Sequence, residues 1–407
     1  MMSSTSGSSD LIVIGGGVIG LSIAWRARER DLSVTVLERA QTGAGTSRVA
    51  AGMLAPVSEV EFGEAGRRLL ALGLRSAAAW PSFAEQLQAA SGIDVGLLAS
   101  GTLLLARDAD ESRELERQIA FRDSLGLRTE RLRPSQARER EPAIAPALRL
   151  ALEAPDDHSV DPRRVLAALR AACDATGVRV RERTPAIAVQ SDAAGRATGV
   201  VVAGEAGDEL VRGERVVLAA GAWSSQLQGV GDPVPVRPVR GQLLRLRDPS
   251  GPGLLRRVVR FGGGYLVPRG DGRYVLGGTV EERGFDVEPD VGGVYQLLRD
   301  ARELLPGVDE LKIEELCVGL RPGTPDNAPA IGRGEPAGTI WASGHHRNGV
   351  LLAPLTAELV VGLACDEDQD PALAVCSPRR FAQRPPAELE PPPGESFAAG
   401  AAGRARA

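Results

Sequence analysis

Short apolar runs, each closed by a glycine-rich turn or a helical pattern, set the rhythm of the first third of this chain. Leu11–Ile14 is a wholly apolar run of strand length, the mark of a strand buried on both faces. A helical pattern follows from near Val18 to about Arg30, and residues 33–38 (SVTVLE) read as the next strand. Residues 40–55 are small and glycine-rich and lead into another helix start. A long amphipathic pattern spans 65–92, with Trp80 and Phe83 on its apolar stripe. Residues 101–106 read as a strand, and 108–142 as a charged helical stretch ending before Pro142. Asp161 is a good N-cap, Pro162 suits the first helical position, and Gly177 is a good stop. Strands are expected at 178–189 and 215–220.

The pattern then changes. Residues 234–285 hold short strands split by turn signals such as Arg269-Gly270-Asp271-Gly272, which predicts an antiparallel sheet. Residues 339–343 return to a buried strand that runs into a helix near Asn348–Cys365. The stretch from about 382 is proline-rich and is expected to be disordered, like residues 1–9.

Composition narrows the possibilities. At 407 residues the chain is too long for one core. A formal net charge of -5 argues against a nucleic-acid partner. Lys312 is the one lysine, so arginine carries nearly all the positive charge and a single Arg is weak evidence for a site. Cys173, Cys317, Cys365 and Cys376 show no CxxC spacing, and with three histidines neither a metal centre nor a disulfide framework is expected. The polar start lacks a signal-peptide pattern, and no apolar stretch reaches membrane-span length. A cytoplasmic protein is expected, with its thiols reduced.

The chemistry begins at Gly15-x-Gly17-x-x-Gly20, between the first strand and the first helix. Gly15 allows the tight turn, Gly17 admits a pyrophosphate to the backbone, and Gly20 lets helix and strand pack closely. Val18 and Ile19 open the helix whose N-terminus receives the phosphates. Glu38 ends the next strand, placed to accept from a ribose. The motif alone does not choose between FAD and NAD, and Arg39 reads either as a 2′-phosphate contact or as a surface residue. A second small-residue loop (Thr46, Ser47, Ala51, Gly52, Met53) and a third strand–glycine turn at Gly221 favour the longer cofactor, FAD.

Late in the chain, Arg321 ends a strand before a proline-rich turn, and Arg347 directly precedes a helix start. A guanidinium grips a carboxylate at two points, so two arginines in such turns suit a carboxylate ligand, with Tyr265 adding a hydroxyl. N–H groups around Asn348–Leu351 are placed to stabilise negative charge on a reduced flavin. His345 and His346 are read as backbone contacts or packing, not as metal ligands. The scattered nucleotide strands predict an α/β (α+β) fold with two interleaved domains. A Rossmann-like FAD-binding domain takes 10–58, 145–232 and 316–366, and an antiparallel-sheet substrate domain takes 59–144 and 233–315.

These residues resemble the FAD-dependent D-amino acid oxidase family, most closely its glycine-oxidising branch that serves thiamine biosynthesis. The resemblance covers roughly 10–365 and rests on TSxxAAGMLAP (46–56), YLVPR (265–269), GLRPGTPD (319–326) and GHHRNGVLLAP (344–354). It implies that Arg321 binds the substrate carboxylate, assisted by Tyr265 and Arg347. It implies that Val18, Ile19, Glu38, Arg39, Thr46, Ser47, Ala51, Gly52, Met53 and the backbone of Ala186 contact noncovalent FAD. His345, His346, Arg347, Asn348, Gly349, Val350 and Leu351 would wrap the flavin ring. The implied reaction is hydride transfer from the α-carbon of glycine or another small amino acid to flavin N5. It gives an imino acid, then glyoxylate and ammonia, with hydrogen peroxide from oxygen. A homo-oligomer, as a tetramer, is implied too. Arg48 and Val49 depart from the family's small residues, and Cys317 lies two residues from the position where relatives attach flavin covalently. Val280 is a candidate for setting pocket volume. The alternatives are a dehydrogenase that passes electrons to another carrier, and a nucleotide-binding protein without turnover.

Overall fold

A computed structural model describes residues 8–204, 207–231, 234–367 and 370–382. Two eight-stranded sheets share the chain. In the first, Ser9–Ile14 lies between Glu209–Leu218 and Val34–Leu37, parallel to both. Thr339–Ser343 extends it in parallel beyond Glu209–Leu218, and Arg179–Arg181 beyond Val34–Leu37. Leu11, Ile12 and Val13 are fully buried, as a strand covered on both faces requires.

Helices Val18–Arg28, Gly63–Ser91, Pro162–Ala175 and Ala353–Ala364 contribute to the larger apolar core against this sheet. Trp25, Trp80 and Phe83 meet there edge to face, with ring centroids 5.4 Å and 5.3 Å apart. Trp80 also donates its indole N–H to the Leu351 carbonyl at 2.9 Å. Its truncation to alanine would cost about 3–5 kcal/mol. Helix Pro162–Ala175 starts as its sequence dictates, with the Asp161 carboxylate accepting from the Arg163 N–H at 2.9 Å.

The second sheet runs in the order Lys312–Gly323, Arg237–Arg247, Arg273–Gly277, Gly264–Pro268, Val258–Phe261, Thr102–Ala106, Leu150–Ala154, Glu130–Leu132. All its pairings are antiparallel except Val258–Phe261 with Thr102–Ala106. Helix Val291–Leu304 closes its core through Leu297, Ala301 and Leu304.

Several expectations are corrected. The stretch 108–142 is three elements: helix Ala109–Ser124, strand Glu130–Leu132 and helix Pro134–Arg140. Gly126, at φ +65°, ends the first of them. The expected strand at 178–189 breaks at Arg183 (φ +51°), and Ala186–Ser191 turns away to pair antiparallel with Ala197–Val202. Leu150–Ala154 and Lys312–Gly323 belong to the second sheet, although most of both falls within stretches expected in the nucleotide domain. Helix Gly63–Ser91, expected in the substrate domain, packs on the first sheet's layer because its apolar stripe faces Trp25 and Leu351. Ser9, expected in a disordered start, pairs with Gly213. The last expected helix begins at Ala353, not at Asn348; His346–Asn348 form a separate 3₁₀ turn. Pro354 has no N–H to donate and so suits the opening turn of the regular helix. The expected tails at 1–7 and 383–407 lie outside the described residues.

Candidate active site

The glycine turn behaves as steric necessity demands. Gly15 holds φ +111°, and a Cβ there would sit 2.4 Å from the Ala219 carbonyl oxygen. A Cβ on Gly20 would come within 1.9 Å of the Gly15 oxygen, so Gly20 serves helix–strand packing and does not face the cleft. Gly17 does face it, and the Val18 N–H at the helix start donates to the Ser47 hydroxyl at 3.1 Å. The Glu38 carboxylate accepts from the N–H groups of Gly16 and Ala40, at 2.8 Å and 2.9 Å. Arg39 stacks its guanidinium 3.5 Å from the Trp223 ring centroid.

The second loop is tied down from behind. The Thr46 hydroxyl donates to the Leu320 carbonyl at 2.8 Å and accepts from its N–H at 3.2 Å. Arg269 bonds the carbonyls of Ala51 and Val160, at 2.7 Å and 2.8 Å. Burial draws the Arg269 guanidinium down to about 10. Gly52, at φ +79°, leaves no room for a side chain: a Cβ would lie 2.2 Å from the Val160 oxygen. Gly221 accepts from the Ser343 hydroxyl at 3.0 Å, which fixes the third turn.

Arg321 and Tyr265 meet on the second sheet. Glu315, Cys317, Gly319 and Arg321 alternate onto one face of their strand. Across the ladder, Gly241 and Gly319 are paired. A Cβ on Gly241 would collide with the Arg321 guanidinium at 2.4 Å, and one on Gly277 would meet the Tyr265 ring at 2.7 Å. Arg321 Nη1 donates to the Thr279 carbonyl at 2.9 Å. Burial raises the Tyr265 phenol and lowers the Arg321 guanidinium; Tyr265 opposes the second shift and the like charge of Arg347 adds to it. Arg347 faces the same space, 3.6 Å from the Glu61 carboxylate.

The two histidines are buried and neutral. His345 bonds the Thr356 hydroxyl at 2.9 Å, and burial pulls it down to about 3. Burial, then the charges of Arg347, Arg321 and Arg237, holds His346 well below its usual value.

One cavity of about 1850 Å³ joins these groups. Its lining includes Gly15, Gly17, Val18, Ile19, Glu38, Arg39, Thr46, Ser47, Ala51, Gly52 and Met53. It also includes Ala186, Gly221, Tyr265, Val280, Arg321, His345, His346, Arg347, Gly349 and Val350. Gly20, Asn348 and Leu351 do not line it. Leu351 turns its carbonyl to Ser76 and Trp80 instead, and the Asn348 carbonyl accepts from the Leu352 N–H. Sequence reasoning missed Ser58, Glu59, Glu61 and Arg260 in the lining. Arg260 reaches it because it pairs in register with Tyr265, a relation that no local pattern carries. Among the described residues, no group of three His, Cys, Asp or Glu is placed to hold a metal, and no helix is long and apolar enough to cross a membrane.

The fold and the cleft define a dinucleotide-dependent oxidoreductase: a Rossmann-type turn opens one end of the cleft and an Arg–Tyr pair lies at the other. Residues 10–363 match the family model described as DAO, FAD dependent oxidoreductase, and the chain belongs to that family. Glycine oxidase of Geobacillus kaustophilus (strain HTA426) is 36% identical over 360 residues, covering 87% of this chain and 92% of that protein. The bifunctional protein ThiO/ThiG of Synechocystis is 36% identical over 379 residues, and the match spans 92% of this chain but 54% of that longer protein. The crystal structure of the Geobacillus kaustophilus glycine oxidase superposes with a TM-score of 0.83, at 34% identity, covering 91% of this chain and 98% of that one. The cofactor of the family is FAD, and the cleft fits it. Gly17 presents bare backbone to the cavity, Gly45 has open space where a side chain would stand, and Thr46, Ser47, Ala51, Gly52 and Met53 line the same cavity.

Proposed function

We propose that the protein oxidises glycine or another small amino acid with oxygen as acceptor, and that its product feeds the thiazole branch of thiamine biosynthesis. One observation carries the reading: Arg321 and Tyr265 face the same cavity as the glycine cradle and the 46–53 loop. The names of the relatives support it, the ThiO/ThiG fusion in particular.

Bound FAD supplies a two-electron acceptor for the α-carbon hydrogen and a route for those electrons to oxygen, with peroxide as product. The chain's own residues bind and orient. Arg321 takes the substrate carboxylate at two points, and the Tyr265 hydroxyl donates to the same group. Fixing the α-carbon in this way supplies about 7–11 kcal/mol of the barrier in favourable cases. His346, held neutral, adds no competing charge beside Arg321. Met53 and Val350 help keep water from the reacting end. The amino acid leaves as its imino acid, which water converts to an oxo acid and ammonia. Cys317 is packed among Ala51, Leu243 and Val267, and burial and the neighbouring Glu315 raise its thiol, which supports noncovalent FAD.

The test is an anaerobic screen of flavin bleaching with glycine, sarcosine, D-alanine and D-proline, followed by a peroxide assay in air. Bleaching by glycine with stoichiometric peroxide is expected. Bleaching without peroxide would make the protein a dehydrogenase, and no bleaching by any amino acid would end the reading.

A further inference from the structure

Beside the cleft, with Arg122 in its lining, lie a buried acid and a buried base that the reaction itself does not use. Asp157 is 0% exposed and Arg122 is 1% exposed, and neither carries its charge to solvent. The peptide of Val57 and Ser58 lies between them. Asp157 accepts from the N–H groups of both residues, at 3.1 Å and 2.5 Å. Arg122 donates to both carbonyls, at 3.0 Å and 2.9 Å. All four backbone polar groups of two consecutive residues are therefore held by these two charged side chains. Burying two charges is costly, and removing either one leaves backbone groups of this buried peptide without that partner.

The neighbour of this peptide is Glu59. Its carboxylate lies 3.3 Å from Arg260, which also donates to the Ser58 carbonyl. Arg260 stands opposite Tyr265 in the ladder, and the Glu59 charge reaches both Tyr265 and Arg321. Small shifts of the 57–59 backbone thus move a carboxylate–guanidinium pair at the edge of the substrate site.

We propose that Asp157 and Arg122 are positioning residues, which fix the Val57–Ser58 peptide so that Glu59 and Arg260 hold one placement beside Tyr265 and Arg321. This rests on the amino acid oxidase reading. The proposal has a pH dependence. Burial raises Asp157 to about 6, against the hydrogen bonds from Ser58 and Val57 and the charge of Arg260. Arg122 lies on the far side of the peptide, drawn to about 10 by burial and the charge of Arg260. From strand Thr102–Ala106 only the Thr102 hydroxyl bonds here, to the Asp157 carbonyl, and the adjoining Asp156 is occupied by Arg128. Protonation removes one of the two carboxylate acceptors, so substrate affinity is expected to fall as pH drops through about 6.

The test uses the FAD-loaded enzyme and its Asp157→Asn and Arg122→Lys variants. Each is expected to raise the KM for glycine roughly tenfold, the scale of one lost hydrogen bond to a charged group. Both variants keep kcat within about threefold and FAD affinity, read by flavin fluorescence, within about twofold, because the cofactor cradle is not touched. The acid limb of kcat/KM near pH 6 is expected in the wild type and absent from Asp157→Asn. In a Glu59→Gln background the Asp157→Asn step should add little, since the two act in series. An unchanged KM and pH profile would overturn the proposal. So would loss of FAD or of folding in both variants, which would assign the pair to stability alone. Wild-type turnover is measured alongside. If glycine is not oxidised, the functional reading falls by itself, and the clamp is then read on the Kd of glycine from flavin absorbance.

Discussion

The Thr46 hydroxyl satisfies both backbone groups of Leu320, a residue 274 positions later in the chain, as donor to its carbonyl and acceptor from its N–H. The loop that follows the first nucleotide strands is thereby fastened to the strand that ends in Arg321. The 46–53 loop and the Arg321 strand of the cleft share one hydroxyl.

Thr46→Val keeps the shape and removes both bonds. Leu320 is 1% exposed, so its N–H and carbonyl lose that partner away from water, at about 1–3 kcal/mol. The Kd for FAD is expected to rise roughly tenfold or more, measured by flavin fluorescence. A Kd within twofold of wild type would show that the loop is held by other contacts.

Arg321→Ala should keep FAD bound and lose most turnover. Removing one member of a buried charge pair costs about 2–5 kcal/mol, so kcat/KM for glycine should fall by roughly 30-fold or more. Arg321→Lys restores charge without the two-point grip and is expected to recover only part. Unchanged kcat/KM in the alanine variant would remove Arg321 from the substrate site.

Gly241→Ala tests the space that lets Arg321 sit where it does. The new methyl would stand 2.4 Å from Nη1 and 2.5 Å from Nη2, so the guanidinium must move. A misplacement of about 1 Å costs roughly a hundredfold in rate. Steady-state kinetics should show that loss while FAD content stays full. Near wild-type kinetics would mean that the strand yields instead.

His345 gives a prediction in pH. Its folded value is lowered to about 3 from a usual 6.5. The unfolded chain takes up the proton as pH falls through 6.5, while the folded chain resists until about 3. The contribution is fully present above 6.5 and erodes towards 3, by about 1.4 kcal/mol per pH unit. His345→Gln keeps a partner for Thr356 and has no proton to take up. The fall of Tm between pH 6.5 and 4 should be shallower in the variant, and parallel curves would refute the assignment.

What the sequence made legible was local. Gly15, Gly17 and Gly20 declare their turn through fixed spacing, and Asp161 and Pro162 declare a helix start, because each depends on atoms a few residues away. Arg321 and Tyr265 were legible through family motifs that are themselves short. The illegible parts depend on strand pairing across long separations. No spacing announces that Arg260 will face Tyr265, or that Leu150–Ala154 will join the second sheet. Asp157 and Arg122 carry no local signal at all, and with arginine supplying nearly all the positive charge, Arg122 did not stand out. Leu351 differs from its neighbours for another reason: they line the cleft, but its carbonyl is bonded by Trp80 from a helix expected in the other domain.

The parallel pairing of Ser9–Ile14 with Glu209–Leu218 fixes an order of assembly during translation. A ribosome working at roughly 5–20 residues per second needs roughly 10–40 s to go from Ile14 to Leu218. Throughout that interval one edge of the apolar run Leu11–Ile14 has no neighbour, an invitation to chaperones and to aggregation alike. The next strand outward, Thr339–Ser343, comes later still, and Arg321 is made only shortly before it. The FAD cleft is therefore incomplete until these strands are made, and nascent chains stalled short of residue 339 should be recovered colourless.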